Sequence, residues 1–201
     1  MKMTWRAVAG AVALAGLSLA LVGRPAQAQA YSWSITPWAG AYIPTSNTTS
    51  NLGTQISRDN SFISGLRITG WGKSALGLEL EGGYAPARAT VAGTTINSSR
   101  DTKVFVGDVK LMIGVGTSAS AGGVYLEVGP ALIRRGSDLT TTNASATDWG
   151  GVAGLGFRIP FSRAVSLRLD GEDVMYGGSF NGGPRTFQND LILDAGITVA
   201  F

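Results

Sequence analysis

The sequence predicts an all-β chain, an eight-stranded antiparallel up-and-down transmembrane β-barrel, and three observations predict it. Alternation of apolar and polar residues with period two recurs about eight times beyond Tyr31, whereas helical periodicity is scarce. The connections between these segments alternate between short and long. Each segment also confines its charges to one of its two faces.

Residues 1–30 stand apart from this pattern. Lys2 and Arg6 provide a positive start, residues 7–22 are small and apolar, and "RPAQAQA" offers two small-x-small sites, so the segment reads as a secretory signal peptide cleaved after Ala28 or Ala30. Its apolar run is shorter than the roughly 20 residues a membrane-spanning helix requires. The chain has no cysteine, which excludes a lipid-attachment cysteine and a disulfide framework. Of its sixteen Lys and Arg residues, Lys2, Arg6 and Arg24 lie in the leader, which has no acid; the remaining thirteen match the thirteen acids. A neutral mature chain gives no electrostatic reason for binding nucleic acid. Charged residues are 14% of the whole, against about 25% in ordinary soluble domains, and glycine accounts for 29 of 201 residues. Something other than water is therefore expected to cover much of the surface of the single domain, 31–201.

The expected strands are residues 33–43, 61–71, 75–85, 102–116, 124–134, 149–161, 164–176 and 188–201. Their lengths bracket the 9–11 or so residues of a tilted transmembrane strand. Short turns, 72–74, 117–123 and 162–163, alternate with long loops rich in Thr, Ser, Asn and Gly at 44–60, 86–101, 136–148 and 177–187. An up-and-down barrel gathers the turns at one end and the loops at the other, the asymmetry of outer-membrane barrels. The loops are expected to be solvated, with no second domain.

Alternation alone also fits a soluble barrel with its faces exchanged, and charge decides between them. In the last strand Leu191, Leu193, Ala195, Ile197, Val199 and Phe201 share one face, and Asp190, Asp194, Gly196 and Thr198 the other. Leu76, Leu78 and Leu80 likewise oppose Glu79 and Glu81, and Val165, Leu167 and Leu169 oppose Arg168, Asp170 and Glu172. A basic side chain facing lipid at the midplane costs about 2–4 kcal/mol, so the charged faces belong inside. They carry Arg67, Glu79, Glu81, Asp108, Lys110, Glu127, Arg158, Arg168, Asp170, Glu172, Asp190 and Asp194, eight acids and four bases. Eight strands enclose just enough room for side chains, so these groups are expected to form a structural ion-pair network rather than border an open pore.

Aromatic residues cluster near the segment ends, where membrane interfaces favour them. Trp33, Trp71, Tyr125, Phe161 and Phe201 fall at the turn end, and Tyr42, Phe62, Tyr84, Phe105, Trp149, Tyr176 and Phe187 at the loop end. We expect two girdles. Closure of the barrel also accounts for the terminal "LILDAGITVAF", since a last strand paired with the first is no free edge.

The run "GLGFRIPFSRAVSLRLDGEDVMYGG" (154–178) resembles the penultimate hairpin of small bacterial outer-membrane barrels of the OmpA-transmembrane, OmpX and opacity-protein type, and "WSITPWAGAYIP" (33–44) resembles their first strand. The resemblance implies an eight-stranded barrel in the outer membrane; the chain departs from the longer OmpA proteins in that their peptidoglycan-binding domain is expected to be absent after Phe201. It also implies that the terminal aromatic, Phe201, is read by the barrel insertion machinery. It implies no shared activity; the expected role is structural or one of surface interaction with an extracellular ligand of the loops. A narrow channel for small solutes and a soluble periplasmic lipid-binding barrel are the alternatives.

No enzyme activity and no cofactor are expected. The chain contains no histidine, on which the outer-membrane deacylases, acyl transferases, phospholipases and proteases of similar architecture rely. "DGED" (170–173) lacks the spaced ligands of a calcium loop. Arg88, Arg100, Lys103, Arg134, Arg135 and Arg185 fall at or beyond the loop end, where they are candidates for contact with lipopolysaccharide phosphates.

Overall fold

The computed structural model describes residues 32–46, 48–49, 55–72, 75–92, 97–115, 122–137, 145–178 and 186–201. The leader, 1–30, lies outside them. Eight long strands form the wall: β1 (Ser32–Pro44), β4 (Ser61–Trp71), β5 (Leu76–Ala92), β6 (Asn97–Val115), β7 (Gly123–Ser137), β8 (Ser145–Pro160), β9 (Val165–Gly178) and β10 (Thr186–Ala200). Two short strands, β2 (Thr48–Thr49) and β3 (Gln55–Arg58), lie between β1 and β4. Each long strand pairs antiparallel with its neighbour, and β1 pairs with both β4 and β10, so the barrel closes. The seam reaches the last residue, because Phe201 N donates to Trp33 O at 2.9 Å. Among the described residues there is no helix.

The walls rise higher than expected at the loop end. β5 and β6 stay paired from Leu76↔Ile113 to Ala92↔Asn97, so most of the expected loop 86–101 is hairpin. β3 extends the same ribbon by pairing Arg58 with Ala89 and Gln55 with Ala92. "PARATVAG" and "SSRDTKV" keep enough β-branched and alternating residues to continue the ladder.

The apolar face of each strand points outward. Leu78, Leu80, Val109, Leu111, Leu126, Val128, Leu155, Leu169, Leu193 and Ile197 are all exposed on the wall. Buried residues are the inward ones, charged residues among them. A soluble barrel with an apolar interior and a polar exterior does not fit this arrangement. Charges also lie outward: Arg88, Asp101, Lys103 and Arg134 toward the loop end, and lower on the wall Asp173 of β9, opposite Leu191 and Ala153, its pleat set by the inward Glu172 and Val174.

The girdles are formed by fewer residues than expected. Trp33, Phe161 and Phe201 are exposed at the turn end, and Phe62, Tyr84, Phe105, Trp149 and Phe187 at the loop end. Trp71, Tyr125, Tyr42 and Tyr176 point inward and are at most 2% exposed. The pleat dictates this, because each shares parity with an inward residue of its own strand: Trp71 with Arg67, Tyr125 with Glu127, Tyr42 with Trp38, and Tyr176 with Glu172.

Candidate functional site

The interior is filled in layers. At the turn end Trp71, Met112 and Tyr125 pack together, with Trp71 and Tyr125 edge to face at 6.2 Å between centroids. Arg158 lies beside them, its guanidinium carbon 5.7 Å from the Trp71 ring centre.

Next comes the charged layer, with Arg67 of β4 as its hub. Its Nε donates to Glu81 Oε2 at 2.6 Å, Nη1 to Asp170 Oδ2 and Asp194 Oδ1 at 2.8 Å each, and Nη2 to Glu172 Oε1 at 2.6 Å and Asp194 Oδ2 at 2.8 Å. The Trp38 ring lies 4.7 Å from the same guanidinium. Arg168 of β9 is a second hub. Its Nη2 donates to Glu79 Oε1 at 2.9 Å and Glu127 Oε2 at 3.2 Å, its Nε to Asp170 Oδ2 at 2.8 Å, and its Nη1 to Glu79 Oε2. Tyr125 closes the lower side, donating its hydroxyl to Asp170 and lying 4.9 Å from the Arg168 guanidinium. Lys110 Nζ donates to Glu172 Oε1 at 2.7 Å and to Glu81.

Two guanidinium forks can serve so many carboxylates because the strands carrying them are far apart around the wall. Their donors point across the barrel, and each Arg presents five N–H groups in a rigid plane. The inward aromatics fit because glycine faces them. A Cβ on Gly65 would meet Trp38 ring atoms at 2.6 Å, and one on Gly156 would meet the Tyr125 ring at 2.1 Å. Glu81, Asp108 and Glu172 offer oxygens within 4.8 Å of one another, a spacing a metal ion could use. Lys110 Nζ already stands among them, 2.7 Å from Glu172 and 3.7 Å from Asp108, so the chain supplies its own cation there.

Above the charged layer lies a buried apolar one made of small and branched side chains: Ile63, Ala85, Val104, Val106, Ala131, Ile133, Val152, Val174 and Ile192. At the mouth Arg58 of β3 reaches inward. Its Nη1 donates to Tyr42 OH at 3.1 Å, and its Nη2 to Tyr176 OH at 3.1 Å and Gln188 Oε1 at 2.9 Å. Tyr42 and Tyr176 in turn donate to Asp190 Oδ2, the latter at 2.7 Å. Arg135 donates to Asp148 and lies 4.9 Å from the Tyr176 ring.

All twelve residues of the expected lumen set are buried inside the wall. Nine of them, Arg67, Glu79, Glu81, Asp108, Lys110, Glu127, Arg168, Asp170 and Glu172, meet in the central layer with Asp194 as the tenth. Asp190 does not join them: Ile192 in the apolar layer separates it from Asp194, and it belongs to the mouth. Sequence reasoning did not find the mouth cluster. Tyr42, Tyr176 and Gln188 carried a signal in their parity, whereas Arg58 carried none, since nothing in "SRDN" shows that the chain turns inward there.

The candidate lipid-contacting residues divide. Arg88, Lys103 and Arg134 are exposed on the outer wall. Arg135 is not there, because the pleat that sends Arg134 outward turns its neighbour into the mouth, where Asp148 takes its charge. Arg100 lies on β6 opposite Ala89, and Arg185 lies outside the described residues.

No family model matches this chain, and no curated protein does. Solved structures do. The outer membrane protein OprG of Pseudomonas aeruginosa is similar with a TM-score of 0.62 and 18% identity, over 86% of this chain and 97% of that one. Neisserial surface protein A gives 0.52 and 19%, over 85% and 96%. Outer Membrane Protein W of E. coli gives 0.51 and 18%, over 87% and 100%. At such identities the likeness is one of architecture, and with a closed eight-stranded wall, an apolar exterior and a charged interior, the chain has the fold of the bacterial outer-membrane β-barrels.

Proposed function

We propose that this protein is a sealed, non-enzymatic outer-membrane barrel whose work is structural and at its surface. In this reading the loop end faces outward and presents an extracellular binding surface, the walls touch outer-membrane lipids including lipopolysaccharide, and Phe201 is the residue the insertion machinery reads. The observation that carries the proposal is the filled lumen. The side chains of Arg67, Lys110 and Arg168 have no solvent-accessible surface, and their carboxylate partners at most 1%. An apolar layer of buried side chains follows directly above. An ion entering from either end meets paired charges and then a region with no polar partner, a barrier no narrow pore tolerates.

The lumen carboxylates speak against catalysis. Glu79, Glu81, Asp170 and Asp194 each accept bonds from guanidinium groups that no pH change near neutrality removes, so these four act as ion-pair partners. Reconstitution of the purified protein into planar bilayers tests the reading. Electrical silence supports the sealed barrel, and stable unitary steps would establish the narrow channel instead.

A further inference from the structure

We propose that the outer wall formed by β5, β6 and β7 holds a phosphate group of an outer-leaflet glycolipid, of the lipopolysaccharide kind, between Lys103 and Arg134, with Arg88 at its edge. The proposal rests on the outer-membrane reading above and names the place of lipid contact. Among the described cationic side chains, Arg58, Arg67, Lys110, Arg135, Arg158 and Arg168 turn inward or into the mouth. The outward ones are Arg88, Lys103 and Arg134, together with Arg163 in the turn at the opposite end. The first three lie on consecutive strands.

Register places them side by side. Arg88 faces Asp101, Pro86 faces Lys103, and Phe105 faces Arg134, so each cation is the diagonal neighbour of the next on the same face. They also share a height. Arg88 is twelve residues from Leu76, Lys103 twelve from Val115, and Arg134 eleven from Gly123, the turn-end limits of their strands. At the rise and tilt of a barrel strand this is roughly 30 Å above the turn end, just past an apolar band about 25 Å tall. That is the level of lipid phosphates. Tyr84, four residues nearer the turn end than Arg88, and Phe105, two nearer than Lys103, are exposed and mark the interface below those cations.

Charge sets the occupant. Asp101 takes up part of Arg88 through a 3.3 Å ion pair exposed to solvent. Among the described residues no acid lies within ion-pair distance of Lys103 or Arg134. A guanidinium fork and a mobile ammonium on neighbouring strands suit a tetrahedral phosphate, and the aromatic row beneath suits the sugar and acyl chains attached to it. Near the same height the outward residues of the other strands include Ile43, Phe62, Thr147, Gly177 and Phe187, none of them charged, so the site occupies one sector of the wall.

The test is a binding titration of the folded full-length barrel in detergent, followed by native mass spectrometry, with purified lipid A and its dephosphorylated form as probes. The wild type is expected to retain lipid A at least about tenfold more tightly than the dephosphorylated lipid, a charge-assisted difference. Lys103→Gln with Arg134→Gln should erase that preference, and Arg163→Gln should leave it intact. A heat-modifiability gel verifies that each variant is folded. Equal retention of the two lipids by the wild type, or an unchanged preference in the double variant, overturns the proposal; so does displacement of lipid A by excess inorganic phosphate, the mark of a free-anion site. Conductance is read separately, so a conducting barrel that keeps the preference sinks only the sealed-lumen reading.

Discussion

Arg67 and Asp194 form a two-pronged ion pair inside the barrel, Nη1 to Oδ1 and Nη2 to Oδ2, both at 2.8 Å. The pair joins β4 to β10 across the intervening β1, so it ties together strands that share no ladder. Removing one partner strands the other in a site closed to solvent, since both side chains are fully buried. Arg67→Ala should cost about 3–5 kcal/mol of folding stability, because four carboxylates lose their common donor. Arg67→Lys keeps the charge but not the fork, and should recover only part of the loss. Urea unfolding of the barrel in detergent, with Asp194→Asn completing a double-mutant cycle, measures both; additive losses of Arg67→Ala and Asp194→Asn would show that the pair is not coupled.

Tyr125 and Gly156 make a second dependence, one of volume. The three nearest neighbours of a Cβ added at Gly156 are all atoms of the Tyr125 side chain, two of its ring and the hydroxyl oxygen. Gly156→Ala should therefore destabilise by about 1–3 kcal/mol, and Tyr125→Ala in the same chain should relieve the clash. At Gly65 the nearest atom is the backbone oxygen of Gly82, at 2.2 Å, with Trp38 behind it. There a smaller residue at 38 cannot rescue Gly65→Ala, because a ladder carbonyl has nowhere to go. Unfolding midpoints of the four variants test the contrast.

These contacts show what was legible in the sequence. Alternation fixes the parity of every strand, and parity alone assigns Arg67, Glu79 and Lys110 to the interior. Applied with equal strictness it also turns Trp71, Tyr125, Tyr42 and Tyr176 inward and Asp173 outward; a position near the strand end suits an aromatic to the interface only when the pleat also turns it outward. The partners of each charge were not legible. Which of eight acids meets Arg67 depends on barrel stagger and side-chain reach, and no local pattern encodes these. Arg58 is the extreme case, for its place over the mouth follows from pairing of β3 with the far end of β5.

Arg58 yields a prediction that separates the mouth from the seal beneath it. Its guanidinium serves Tyr42, Tyr176 and Gln188 together. Arg58→Ala leaves those acceptors to water and should cost about 1–3 kcal/mol. It should not open the barrel, because the apolar and charged layers below stay intact. Bilayer recordings on the variant are expected to remain silent; unitary steps would place the only seal at the mouth.

Asp173 should be a residue whose loss strengthens the fold. It faces outward on β9, eight residues above Val165, roughly 20 Å along the axis and so within the apolar band. Among the described residues its carboxylate has one weak partner, Asn189 Nδ2 at 3.5 Å from Oδ2, and its Oδ1 has none. An acid on the lipid face costs less than a base at the midplane, and near the interface the cost falls toward about 1 kcal/mol. Asp173→Leu matches its cross-strand neighbour Leu191 and removes that cost, so the unfolding midpoint in lipid bilayers should rise. In a detergent micelle, where water reaches the wall more freely, the gain should shrink. A loss of stability in the bilayer would mean that Asp173 meets a partner there, and cross-linking from position 173 in native envelopes would then identify it.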